Sequence, residues 1–263
     1  MKSLILSATL LFCTASVFAQ DADAGGSRID VRKLRFGAFA APTLSWMRPT
    51  ANTDDRGEFR VENNGSVTGF MWGLMVDYNF APNYAIATGI QYNSTGGKMI
   101  ATSVTAPNAG RSDVVNKADF TYRLAYLEVP LHLKLRTDDI SGFRLFGQLG
   151  LTGGINIGKK ADYTVDYLDE AGREQTKSGE EVKITGGIGN IAPILLQLNV
   201  GVGTEYAIGE KLSAYLGIFF NNGFAPDATN PNNFDEARLG YRGEFRDANT
   251  RLNNVALKLG FFF

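Results

Sequence analysis

Apart from Cys13 the 263-residue chain contains no cysteine, and His132 is its single histidine. A disulfide framework is excluded on that count, and so is any cluster of Cys and His around a metal. Charge of one sign is not in excess either. The chain has 26 basic against 27 acidic residues, a net charge of −1, which gives no electrostatic reason to bind nucleic acid. Long apolar runs are also missing: beyond the first twenty residues no window could form a transmembrane helix. The mean hydropathy of −0.10 points the same way. What is present is 44% hydrophobic residues, with 18 Phe, 10 Tyr and 30 Gly, ample for a core and incompatible with disorder.

The N-terminus reads as an export signal. Lys2 supplies a positive start, Leu4 to Cys13 is an apolar stretch of about ten residues, and Val17-Phe18-Ala19 places small residues for cleavage after Ala19. The stretch is too short to span a bilayer. Phe12 before Cys13 is too large for lipoprotein processing. The expected division is a signal peptide at 1–19, a periplasmic linker at 20–33 and a β-barrel at 34–263. The mature chain is then exported and free of cysteine.

Beyond the signal, apolar residues recur with a period of two. In Thr68–Phe80 one parity reads Phe70, Trp72, Leu74, Val76, Tyr78, Phe80, and the other Gly69, Met71, Gly73, Met75, Asp77, Asn79. Successive strand side chains point to opposite faces, so one face is wholly apolar and the other small or polar. Leu34–Met47, Tyr84–Gly96, Phe143–Ile157, Ile194–Tyr206, Leu212–Gly223 and Leu252–Phe263 repeat this. Phe120–Arg136 is irregular: its apolar parity runs Phe120, Tyr122, Leu124, Tyr126 and then switches to Leu127, Val129, Leu131, Leu133, Leu135. A β-bulge near Tyr126 is expected from that switch.

A soluble barrel also alternates, but its outer parity favours Lys, Glu and Thr. Here the second parity is Gly, Ala, Gln and Asn, which suits a cramped interior. Aromatics gather near segment ends as two girdles, with Phe36, Tyr78, Phe80, Tyr84, Phe143, Tyr206, Phe261 and Phe263 at one level and Trp46, Phe70, Trp72, Tyr92, Phe120 and Tyr122 at the other. The connections alternate long (48–67, 97–118, 158–193, 224–251) and short (81–83, 137–142, 207–211). This predicts an all-β, eight-stranded antiparallel up-and-down barrel in the cell outer membrane, with tight periplasmic turns and four long extracellular loops. Its surroundings would be outer-membrane lipid. A barrel of this size leaves room only for side chains, so no open pore is expected.

Arg35, Asp77, Glu128, Lys134, Arg144, Glu205 and Lys258 are predicted to point inward, where charges must pair. Ladder neighbours at equal depth suggest Arg35 with Asp77 and Arg144 with Glu205, a structural plug and not an ion path. A lipid-modifying barrel enzyme needs a base near the outer leaflet, whereas His132 lies near the periplasmic end. Gly153–Lys160 resembles a phosphate-binding loop but ends a strand, and Gly186–Gly189 precedes one, so neither meets a helix N-terminus. The Asn/Asp-rich stretch Asp227–Glu236 has the composition to bind calcium, but a solvated loop is the commoner explanation for it. No catalytic residue, cofactor or metal site is assigned. Loop charge is mixed, and the alternation of Tyr163, Val165 and Tyr167 suggests that strands extend above the membrane as a hairpin with an edge open to strand addition.

The stretch Tyr126-Leu-Glu128-Val-Pro130 resembles the Tyr-Leu-Glu-(Ile/Val)-Pro strand of the PorT-like outer-membrane barrels of Bacteroidetes. The Gly-punctuated strand Phe146–Gly153 and the aromatic C-terminus also suit that group. The resemblance implies an eight-stranded barrel, and in its namesake branch a role in protein secretion. The ends of the last strand, Phe261 and Phe263, resemble the aromatic signal recognised by the barrel-assembly machinery. Two functions from different classes follow as expectations: a structural or interaction barrel displaying its loops, and a component of a secretion machinery with an envelope protein as partner. A small porin or a lipid-modifying barrel enzyme is the third.

Overall fold

The structure is a computed structural model, and it describes residues 32–50, 59–103, 115–169, 171–182, 190–209, 211–224, 228–229 and 250–263. The expected signal peptide and most of the expected linker lie outside these. The strands are β1 (Leu34–Pro49), β2 (Phe59–Ala81), β3 (Tyr84–Ser103), β4 (Val115–Arg136), β5 (Phe143–Leu168), β6 (Glu174–Val182), β7 (Asn190–Ile191), β8 (Ile194–Ala207), β9 (Ser213–Gly223), β10 (Ala228–Thr229) and β11 (Thr250–Phe262). Eight of them pair antiparallel in the order β1-β2-β3-β4-β5-β8-β9-β11, and β11 returns to β1, which closes the sheet into a barrel. Closure leaves the ring no unpaired edge.

Alternation decides which side chains face in. On β1, Arg35, Phe39, Ala41, Thr43, Ser45 and Met47 are buried while Leu34, Phe36 and Leu44 are exposed. Around the ring the outward parity is apolar, and Leu74, Leu131, Ile155 and Val202 are each at least 60% exposed. Such a continuous band is unfavourable against water and favourable against hydrocarbon. Among the described residues no helix is long and apolar enough to cross a membrane, so crossing falls to the strands.

At the lower end the links are short. β4 and β5 are joined through a two-residue turn, Ser141-Gly142, with φ of 55° and 85°, between Ile140 and Phe143, which exchange both backbone hydrogen bonds at 2.9 and 3.0 Å. Two successive positive φ values are what a type I′ hairpin turn requires, and glycine meets that at no steric cost.

At the upper end the strands run past the apolar band, and two expectations change. The bulge expected in β4 is absent, because every even residue from Ala118 to Arg136 is buried. The register shift at Ala125 and Tyr126 arises on β5, where their partners are Gly158 and Asn156 and Ile157 is skipped. Nor do Phe120 and Tyr122 belong to the outer girdle. They are buried with Met47, Val61, Met99, Leu124, Tyr126, Val165, Leu195 and Leu252 in one apolar cluster inside the barrel. The outward residues at this height are polar instead: Arg123 meets Asp162 at 2.7 Å and Lys117 meets Asp119 at 2.7 Å. The sequence shows a switch of hydrophobic parity because the surroundings switch from lipid to water while the geometric parity runs on. β6 pairs with this upper part of β5 from Lys160 to Leu168 and forms the hairpin suggested by Tyr163, Val165 and Tyr167.

Pro130 lies within a central strand, where proline lacks the donor the ladder needs. Pairing between β3 and β4 accordingly lapses between Thr88–Leu131 and Gln91–Glu128. The Thr88 hydroxyl spans the gap by donating to the Pro130 carbonyl at 2.7 Å.

Candidate functional site

The candidate site is the barrel interior, since its charges are the strongest departure from a simple packed core. Arg35, Asp77, Glu128, His132, Lys134, Arg144, Glu205 and Lys258 are all buried. They come from six strands, each carried inward by the alternation just described.

Near the lower end, Glu205 on β8 is the hub. Its carboxylate accepts from Arg35 Nη1 at 2.7 Å, contacts Lys134 Nζ, and lies 3.4 Å from Arg136 Nε. Asp77 accepts from Lys134 Nζ at 2.8 Å and contacts Arg136. Arg35 also donates to Ser213 Oγ at 2.5 Å, and Arg136 to Asn79 Oδ1 at 2.5 Å. The pairs expected from the ladder therefore do not form. Arg35 is directly opposite Asp77, and Arg144 opposite Glu205, yet Arg35 turns to Glu205 across the lumen. Arg144 has no ion pair among the described residues, and its Nε has no hydrogen-bond partner. Three cations share two carboxylates here, and a long side chain in a narrow lumen reaches across it as readily as along its own ladder. Arg136 was hidden by its place at the end of β4, although it has the same parity as Glu128 and Lys134.

Midway up, Glu128 accepts from Gln91 Nε2 at 2.6 Å and Asn93 Nδ2 at 2.8 Å, and Lys258 Nζ donates to Gln91 Oε1 at 3.1 Å. Between these polar groups lies an aromatic layer that sequence reasoning missed: Phe39, Phe146, Tyr215, Phe219 and Phe262. It is matched to the cations. Lys134 Nζ lies 4.7 Å from the Phe146 centroid and 4.8 Å from that of Phe262, and Lys258 Nζ lies 4.3 Å from Phe39. Glycines make the room: a Cβ on Gly201 would come within 2.1 Å of Phe219, and one on Gly203 within 2.4 Å of Phe146. The many glycines of the inward parity were the available signal for these rings. Higher still, Asn199, Asn221 and Asn254 hydrogen-bond in a chain.

His132 Nε2 is 3.1 Å from Thr152 Oγ1. With Gln91, Lys134, Tyr215 and Lys258 it lines a cavity of about 30 Å³, room for about one water. The arrangement offers ion pairing, amide hydrogen bonds and cation–π contacts, and it fills the section of the lumen it occupies. Among the described residues no group of three or more His, Asp and Glu is placed to hold a metal ion. Gly186–Gly189 lies outside the described residues, as does Asp227–Glu236 except for Ala228 and Thr229.

Tyr126, Glu128 and Pro130 all face inward and are buried. Phe261 and Phe263 are 53% and 57% exposed at the lower rim, whereas Phe262 between them is buried. Above the apolar band, at the β5–β6 tip, the Asp169 carboxylate accepts the Ala171 and Arg173 amides, each at 2.9 Å. The Arg173 amide is the main reason its pKa is held below the usual carboxylate value. The Asp119 hydrogen bond and charge raise Lys117 in the same region.

The family described as outer membrane protein beta-barrel domain matches residues 18–192, more than half of the chain. No curated protein matches the sequence at a significant level. Among solved structures, Neisserial surface protein A is 10% identical with a TM-score of 0.38, over 87% of this chain and 96% of that one. OprG from Pseudomonas aeruginosa is 16% identical with a TM-score of 0.35, over 88% and 94%. Ail of Yersinia pestis is 11% identical with a TM-score of 0.30, over 87% and 99%. Likeness at this level says nothing about ligands.

Proposed function

Because this chain belongs to the outer membrane protein β-barrel domain family, and so to the outer membrane, we propose that it is a closed structural or interaction barrel that displays its upper loops outside the cell. The observation that supports this most is the filled interior. The ion cluster around Glu205, the aromatic layer and the apolar cluster from Met47 to Leu252 succeed one another up the lumen. Each level is held by contacts between strands on different sides of the ring, which is an arrangement for stability and not for permeation. The upper hairpin of β5 and β6 then serves as a platform for contacts outside. Planar-bilayer recording of the full mature chain tests this: no steady conductance is expected, and a stable ohmic channel would sink the proposal.

Tyr126, Glu128 and Pro130, which resemble a strand of PorT-like barrels, support a second reading as a secretion-machinery component. These residues face the interior and so bear on barrel assembly more than on partners. Crosslinking in native membranes separates the readings, since a machinery component predicts a stoichiometric envelope partner and a display barrel does not.

A further inference from the structure

Where the strands leave the apolar band, Arg48 on β1 and Arg251 on β11 are directly opposite one another in the ladder. Both are exposed on the outward parity. Two residues below Arg48 on the same face is Trp46, whose ring stacks on Phe220 at 6.2 Å between centroids. This aromatic pair marks the interfacial level, so the two guanidinium groups stand at headgroup height. Like charges directly opposite across an antiparallel pair are destabilising. Elsewhere at this height the fold avoids the problem: Arg123 on β4 has Asp162 on the adjacent strand at 2.7 Å. Among the described residues no such carboxylate meets Arg48 or Arg251.

We propose that Arg48 and Arg251 clamp a phosphate group of an anionic lipid of the outer leaflet, with Trp46 and Phe220 packing beneath it against the acyl chains. One phosphate between two guanidinium groups turns their repulsion into charge-assisted hydrogen bonds, for which the planar fork of arginine is the suited donor. The phosphate group supplies the counter-charge that Asp162 supplies to Arg123. The inference rests on the reading that the upper end faces outside.

Native mass spectrometry of the full mature protein, with diphosphoryl lipid A, its dephosphorylated form and inorganic phosphate as separate probes, tests it. The wild type should retain diphosphoryl lipid A about tenfold or more better than the dephosphorylated form, and inorganic phosphate should be retained far less. Arg251→Glu should lose that preference while folding normally, because it recreates an arginine–carboxylate pair. Arg123→Gln should keep the preference. Should Arg251→Glu fail the heat-modifiability check for folding, Arg48→Gln with Arg251→Gln removes the repulsion and is read in its place. Equal retention by wild type and variant overturns the proposal, as does equal binding of the dephosphorylated form or of inorganic phosphate. Orientation is read separately by labelling Ala171→Cys on intact cells with a membrane-impermeant maleimide. Failure to label refutes the outward loops, whereas labelling without lipid preference refutes the clamp alone.

Discussion

Glutamine at position 205 is the sharpest probe of the interior. The Glu205 carboxylate meets Arg35 at 2.7 Å, Lys134 in direct contact and Arg136 at 3.4 Å, with every partner buried. Glu205→Gln keeps the volume and removes the charge. Lys134 and Arg136 retain Asp77, but Arg35 is left with the neutral Ser213 hydroxyl and the Phe262 ring at 4.4 Å. Breaking a buried pair by removing one partner costs about 3–5 kcal/mol, and Glu205→Gln is expected within that range. Asp77→Asn should cost less, because each of its two cations still reaches Glu205. Adding Arg35→Gln to Glu205→Gln should recover about 1–3 kcal/mol, since it removes the stranded charge. Urea titration in phospholipid vesicles, read as the folded band in heat-modifiability gels, gives all four stabilities. If Asp77→Asn costs as much as Glu205→Gln, or if adding Arg35→Gln to Glu205→Gln recovers nothing, Glu205 is not the hub.

Gly201→Ala drives a Cβ to 2.1 Å from Phe219 and should cost about 1–3 kcal/mol in the same titration, with Phe219→Leu restoring most of it. The Asp169 pKa is depressed in the folded state, so its contribution to the β5–β6 tip is present above the unfolded value of 3.8 and lost as pH falls through the folded value. Amide protection at Ala171 and Arg173 should decline over that interval, and in Asp169→Asn it should be low throughout. Phe263→Ala should reduce the amount of protein reaching the outer membrane while leaving the urea midpoint of the refolded barrel unchanged. Removing Phe261–Phe263 together would also delete Phe262, which packs under Arg35 and Lys134, and so would confuse assembly with stability. Leu131→Lys should cost about 2–4 kcal/mol, but Thr121→Lys on the same strand and parity close to zero, because one faces lipid and the other water.

The ring of eight strands was legible because alternation is a local property: Leu34 to Met47 or Ile194 to Tyr206 declares its two faces without reference to anything else. Inwardness of Asp77, Glu128 and Glu205 followed from the same parity. Pairing did not. Arg35 and Asp77 are true ladder neighbours, but which carboxylate a flexible cation selects depends on the contents of the whole lumen, and a count that omits Arg136 assigns the partners wrongly. The interior aromatics escaped notice for a related reason. Phe146 and Phe219 stand on the inward parity of their strands, but parity does not say that a ring fits in a narrow lumen, and only the glycines opposite them show it.

Strand β4 carries both lessons in one element. Its even residues face the lumen along the full length, apolar from Ala118 to Tyr126 and then Glu128, Pro130, His132, Lys134 and Arg136. Its odd residues run the opposite way, polar at Arg123 and apolar from Leu127 to Leu135. Below Tyr126 the wall has lipid outside and needs a polar, paired interior only where charge is present. Above it the wall has water outside and must bury apolar surface inward, like any soluble barrel. Tyr126, Glu128 and Pro130 straddle that boundary, with Tyr126 in the apolar cluster above and Glu128 in the polar layer below. None of the three reaches the surfaces above that height, so a likeness confined to them reports on the wall of the barrel and not on what its loops meet.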